Sequence, residues 1–213
     1  MLAILNNDHE VCNRCTSCCC YTCEGGSGPR APMSCCDVVR IAAHSGKNAR
    51  EFAQLADRPA RESLADIWDQ VPSLGALYER GHFIHLKYEN GACVLLDEQG
   101  RCRLPRDVRP RYCAFYPLWF TFDPLTRDIS LKIVGSSACR AVVESSAEAE
   151  TVLKMFRYHR DEMLALAQRT RSEIQEHRML SDKALATLVG GPRRRVLQRT
   201  AASPPTARRP VRS

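Results

Sequence analysis

The residues best able to do chemistry in this chain are cysteines, and they begin at Cys12. Cys12, Cys15 and Cys18 are each separated by two residues, and Cys19 follows directly. Two intervening residues let the backbone curl so that successive sulfurs converge on one ion, each about 2.3 Å away. Cys-x2-Cys serves zinc and iron–sulfur sites alike. A third cysteine at the same interval is less usual for zinc and matches the opening of a bacterial ferredoxin-type run. The spacing therefore predicts a metal and leaves open whether it is zinc or an iron–sulfur cluster. Cys93, Cys102, Cys113 and Cys139 form a later set. Together the eight suit two four-ligand sites or one multinuclear site, or four of them suit one site while the rest stay free. Cys20, Cys23, Cys35 and Cys36 are left outside the set, because adjacent residues of an extended chain point opposite ways. A ligand set drawn through Cys20-x2-Cys23 remains open.

Other chemistries leave no local signature. There is no Gly-rich phosphate loop, no Ser–His–Asp arrangement, no paired-carboxylate motif and no Cys-x3-Cys-x2-Cys run of the radical S-adenosylmethionine type. No catalytic residue is assigned. Asp37 reads as a helix-start residue, and Arg109-Pro110 as a turn whose guanidinium pairs with a carboxylate or carbonyl. His82 and His85 straddle a strand start and read as surface or core histidines, with His85 within reach of the cysteines. Phe115, Tyr116, Trp119 and Phe120 read as core aromatics beside them.

Composition narrows the setting. The chain has 213 residues, of which twelve are cysteine and only 7% are aromatic, so sulfur is expected to help hold the fold. Met1–Glu10 carries no basic segment before its short apolar patch, so no secretory signal is read there. A cytoplasmic location follows as the expectation, and reducing conditions favour metal ligation over disulfides. No apolar run is long enough to span a membrane. The net charge of +7 is misleading: seven of the 31 basic residues lie between Pro192 and Ser213, and the other 24 balance all 24 acidic ones. The Arg-rich tail could touch RNA, DNA or anionic lipid. With no aromatic residue interleaved for base stacking, it reads as a solvated, disordered terminus.

The elements that must position the cysteines follow from periodicity. Asp37 to about Ala56 has helical spacing with a break near His44-Ser45-Gly46, and a second amphipathic stretch covers about Ala60 to Leu77, interrupted by Pro72. Alternation at 83–88, a turn at Glu89-Asn90-Gly91 and a strand over Ala92–Leu96 predict a hairpin. A turn at Asp97–Gly100 leads on to Cys102. Leu118–Phe122 and Ile129–Val134 predict a second hairpin. Ser145-x-x-Glu148 predicts the start of one long helical segment through Leu188, with a possible break at Ser181-Asp182 and a stop at Gly190-Gly191-Pro192.

The cysteine pattern resembles a known family, the YkgJ-like cysteine-cluster proteins of bacteria and archaea, described as a zinc- or iron-chelating domain with a Cys-x2-Cys-x2-Cys-Cys opening. The corresponding residues are Cys12 to Cys19, then Cys93-Val94-Leu95-Leu96, Cys102-Arg103-Leu104-Pro105, Arg109-Pro110-Arg111-Tyr112-Cys113 and Tyr116-Pro117. Asp37–Ala42 resembles the helix that follows the family's first cluster. The resemblance spans roughly residues 12–140. Ala114 departs from it, standing where the family often has Arg, and Cys20, Cys23, Cys35 and Cys36 are additional to the motif. It implies a metal and a fold but no reaction.

The expected architecture is α+β: a small metal-stapled domain over 1–143 built of a cysteine loop, two helices and β-hairpins, a C-terminal helical segment over 144–190, and a basic disordered tail over 191–213. The expected function is metal binding, of iron in an iron–sulfur cluster or of zinc, as a structural or metal-handling module with a possible partner protein. An iron–sulfur redox enzyme or electron-transfer protein is the alternative.

Overall fold

The structure, a computed structural model, describes residues 31–58, 71–134 and 148–190. Strand β1 (Pro32–Met33) leads directly into helix α1 (Cys35–Ser45). Ser34 caps α1 reciprocally: its side chain accepts from Asp37 N, and the Asp37 carboxylate accepts from Ser34 N at 2.8 Å. Gly46, at φ 67°, closes the helix by donating its N–H to Ala42 O. The break expected at His44–Gly46 is therefore present.

A second capping box, Asn48 with Glu51, opens the one-turn helix α2 (Ala49–Phe52). The helical reading then fails. Ala53–Asp57 is strand β2, paired antiparallel with β3 (His82–Leu86) from Ala53↔Leu86 to Asp57↔His82. The run Phe52 to Leu55 is too short for periodicity to separate helix from strand, and the unpaired edge of β3 decides the matter. Of the stretch expected over 60–77, residues 59–70 lie outside the described residues. The remainder is helix α3 (Pro72–Gly75) running into a 3-10 turn, Ala76–Tyr78.

β3 is the centre of a three-stranded antiparallel sheet of order β1-β3-β2. Its alternation separates two apolar clusters. Phe83 joins the first with Leu74, Phe115, Trp119 and Phe120, while Ile84 and Leu86 join the second with Met33, Ile41, Phe52 and Leu95. Both faces of β3 are thus covered, which is why Phe83 to Leu86 are all buried.

The short hairpin β4 (Tyr88–Glu89)–β5 (Ala92–Cys93) turns through Asn90 and Gly91, both at positive φ. The strand expected to reach Leu96 stops at Cys93. Val94 and Leu95 make a turn, and Leu96 forms an isolated bridge with Cys102. Helix α4 (Arg111–Phe115) follows Pro110, and the second hairpin is present as β6 (Leu118–Phe122)–β7 (Ile129–Ile133).

The long C-terminal helix is three helices: α5 (Ala149–Met155), α6 (Arg160–Met179) and α7 (Asp182–Val189). Arg157 at φ 51° breaks the first junction. Ser181 caps α7, as the expected break there requires, and Gly190 ends it at φ 84°. α5 starts after Glu148, its extended N-cap, which makes no side-chain cap, and Ser145 of the expected capping box lies outside the described residues. Leu153, Met163, Leu166 and Ile174 enter the first cluster, and Leu185 and Val189 the second. The mixed α+β class stands; the tail at 191–213 lies outside the described residues. Among the described residues no helix is long and apolar enough to cross a membrane.

Candidate metal centre and a cysteine-lined groove

Three of the late cysteines come from three different elements and meet one apolar cluster. Cys93 sits on β5 opposite Tyr88, Cys102 faces Leu96 across the isolated bridge, and Cys113 lies in α4. Cys93 is a buried member of the second cluster, and Cys102 and Cys113 pack against it. Two backbone bonds hold the first two together: Leu96 N donates to Cys93 O at 3.1 Å, and Arg103 N to Leu95 O at 2.9 Å. Ala31, where the chain arrives from the earlier cysteines, is buried in the same cluster, and its carbonyl accepts from Leu86 N. Cys12, Cys15, Cys18, Cys19 and Cys139 lie outside the described residues, as do Cys20 and Cys23. Among the described residues, no three His, Cys, Asp or Glu side chains gather as a metal-holding group.

Helix α4, which carries Cys113, is fixed by a buried polar network. Asp37 is 1% exposed; its carboxylate accepts from Ser34 N, Ser34 Oγ at 3.0 Å, Arg111 N at 3.0 Å and the Arg40 guanidinium. Arg111 reaches on to Glu173 of α6, with Nε at 3.0 Å from Oε2 and Nη2 at 2.5 Å from Oε1. Arg40 Nη1 joins the same carboxylate at 3.0 Å. One acid–base lattice therefore ties α1, α4 and α6 together. Burial pushes the Asp37 carboxyl up, opposed by Arg40 and by the Ser34 N–H. Burial also raises Glu173, but the hydrogen bond and charge of Arg111, with Arg40, outweigh it and hold Glu173 below the usual carboxylate range. Asp37 is a helix-start residue, as read, and the lattice gives it a second task.

Arg109 Nε donates to Leu104 O at 3.0 Å, the expected turn-fixing role. His85 is a fully buried core histidine, with Nδ1 on Leu86 O and Nε2 near Gln54, while His82 is half-exposed and pairs with Asp57. Phe115, Trp119 and Phe120 are core aromatics of the first cluster, not of the one the cysteines join: Trp119 stacks on Phe120, Phe115 meets Trp119 edge-on, and Tyr116 packs against that first cluster.

The local conformation of Cys35 and Cys36 differs from the sequence reading. They were set aside as neighbours in an extended chain, yet both fall in the first turn of α1, where their sulfurs lie 3.8 Å apart. The signal was available in Ser34-x-x-Asp37, which puts the helix start before the pair. Cys36 Sγ donates to Glu176 Oε2 at 3.3 Å, and Cys35 N donates to His177 Nδ1 at 3.1 Å. The pair lines an open groove of about 780 Å³ whose apolar walls include Val39, Leu180 and Leu188. Burial pushes both thiols up, Cys36 further through Cys35 and Glu176 beside it. At neutral pH they are thiols and poor nucleophiles.

Compared with known protein families, curated proteins and solved structures, the chain matches none. The cysteine pattern and the geometry above carry the functional reading.

Proposed function

We propose that the protein is a thiolate metal-binding module, structural or metal-handling, in which Cys12, Cys15, Cys18 and Cys19 join Cys93, Cys102, Cys113 and Cys139 around zinc or an iron–sulfur cluster. One observation supports this most: β5, the bridge at Cys102 and α4 bring three thiols from distant positions to the apolar cluster that also takes in Ala31. The donor chemistry suits the group, since soft thiolates select zinc and iron–sulfur clusters over oxygen-loving cations. The described thiols do not make a metal group by themselves, so the reading assigns the remaining donors to the 12–19 run. Bound there, the metal would cross-link that run to the second cluster. Structural zinc in finger peptides supplies about 10–16 kcal/mol, comparable to or above the whole stability of an ordinary domain.

The test is anaerobic purification followed by the visible spectrum and a count of iron, sulfide and zinc per chain. Matching iron and sulfide identifies a cluster, and a colourless protein with stoichiometric zinc identifies a zinc module. Cys15→Ala is expected to lose metal and much of the folded state. A metal-free wild-type protein, or full occupancy and an unchanged melt in Cys15→Ala, refutes the assignment.

A further inference from the structure

Cys35 and Cys36 stand apart from the ligand set above, and their geometry has its own reading. Two sulfurs bound at about 2.3 Å to one tetrahedral ion lie about 3.8 Å from each other. The two Sγ atoms are 3.8 Å apart, on a helix turn whose start is fixed by the Ser34–Asp37 box. Cys35 is buried at the edge of the second cluster and Cys36 is half-buried against it, and both line the open groove between α1, the end of α6 and α7. We propose that Cys35 and Cys36 form a second, exchangeable metal site, a two-sulfur chelate for a soft divalent ion of the zinc–cadmium class.

No third donor completes a protein-only site among the described residues, so the ion's other positions face the groove. An open position is what separates a transit or reactive site from a closed structural one. Lys183 lines the groove together with Glu176, while Arg40 is engaged by Asp37 and Glu173, so water or one small ligand fills the remaining positions. Loading forms two sulfur–metal bonds, displaces two metal-bound waters and releases two thiol protons. Both protons leave to solvent across the open groove, which the Cys36 thiol shares with the Glu176 carboxylate that accepts its hydrogen bond.

Cadmium is the probe, added to the full-length protein as purified with its own metal in place. Thiolate-to-cadmium absorption in the ultraviolet gives the stoichiometry, and cadmium NMR gives the number of sulfur ligands. One added equivalent with two sulfur ligands, removable by a chelator, is expected. Cys36→Ser should abolish that signal and leave the intrinsic zinc or iron content at the wild-type level. The same pair can be tested without substitution: cadmium should protect Cys35 and Cys36 from alkylation in the wild-type chain, read by peptide mass spectrometry. A two-sulfur signal that is absent from the wild type or survives Cys36→Ser overturns the proposal, as do equal alkylation rates with and without cadmium. Loss of the intrinsic metal together with the signal in Cys36→Ser overturns it too, since the pair would then belong to the main cluster. A wild-type protein that holds no metal of its own yet binds cadmium through two sulfurs would sink the function proposed above and uphold this site.

Discussion

Mild acid should loosen this fold through a single histidine. His177 on α6 is 2% exposed, and its Nδ1 accepts the N–H of Cys35 in the first turn of α1. That turn carries the positive end of the helix dipole, so a protonated imidazole there would lose an acceptor and face like charge. Burial, with the charge of Arg80 second, holds His177 at about 4 against an ordinary 6.5. The folded state therefore resists a proton that the unfolded chain accepts. Stability from this residue is complete above about pH 6.5 and drains away as the pH falls towards about 4. The full difference is worth about 3 kcal/mol, and about 2 kcal/mol of it is gone by pH 5. The assay is urea unfolding at pH 7.5 and pH 5 of the wild type and His177→Asn, whose side-chain oxygen keeps an acceptor near Nδ1 without a titrating group. Acid release of metal affects both proteins and cancels in the difference. Glu173, Asp97 and Asp123, all held below the usual carboxylate range, lose their contributions at lower pH, outside this window. The wild type should lose about 2 kcal/mol more than the variant. Equal losses would refute the placement of His177 as a buried neutral acceptor.

Two further substitutions probe the frame around the cysteines. Asp37→Ala leaves Arg40 with Glu173 alone, strands the Arg111 N–H and breaks the α1 capping box, so it should lower unfolding stability by about 2–4 kcal/mol in a denaturant melt, the cost of an unsatisfied buried donor and a lost cap. Less than about 1 kcal/mol would place the charge in solvent. Trp119→Ala empties a fully buried site in the first cluster and frees Ser73, which now accepts from its indole N–H at 3.0 Å. A loss of about 3–5 kcal/mol is expected by the same assay.

Local chemistry was readable from sequence, and pairing at a distance was not. The Asn90-Gly91 turn and the stop at Gly46 depend on residues within a turn of themselves, and both were legible. So was the second hairpin, whose alternation runs from Leu118 to Ile133. β2 was not, because Ala53 to Asp57 are strand only where β3 offers an edge some thirty residues later. The break at Arg157 carries no Gly or Pro to announce it. Cys93, Cys102 and Cys113, expected as metal ligands, share one apolar cluster, which the motif spacing alone does not reveal. The Asp37–Arg111–Glu173 lattice was invisible, since Asp37 and Arg111 are 74 residues apart and Arg111 and Glu173 are 62 apart, and no local pattern pairs them. The conformation at Cys35 and Cys36 was misread for a smaller reason: an extended chain is expected there, and a helix begins instead.

The central claim is that clustered thiolates hold a metal, and X-ray absorption at the edge of whichever metal the purified protein carries addresses it most directly. A first shell of sulfur at about 2.3 Å, with no light-atom shell in the majority species, is the predicted result. A shell made chiefly of nitrogen or oxygen, or no bound metal at all, would contradict it.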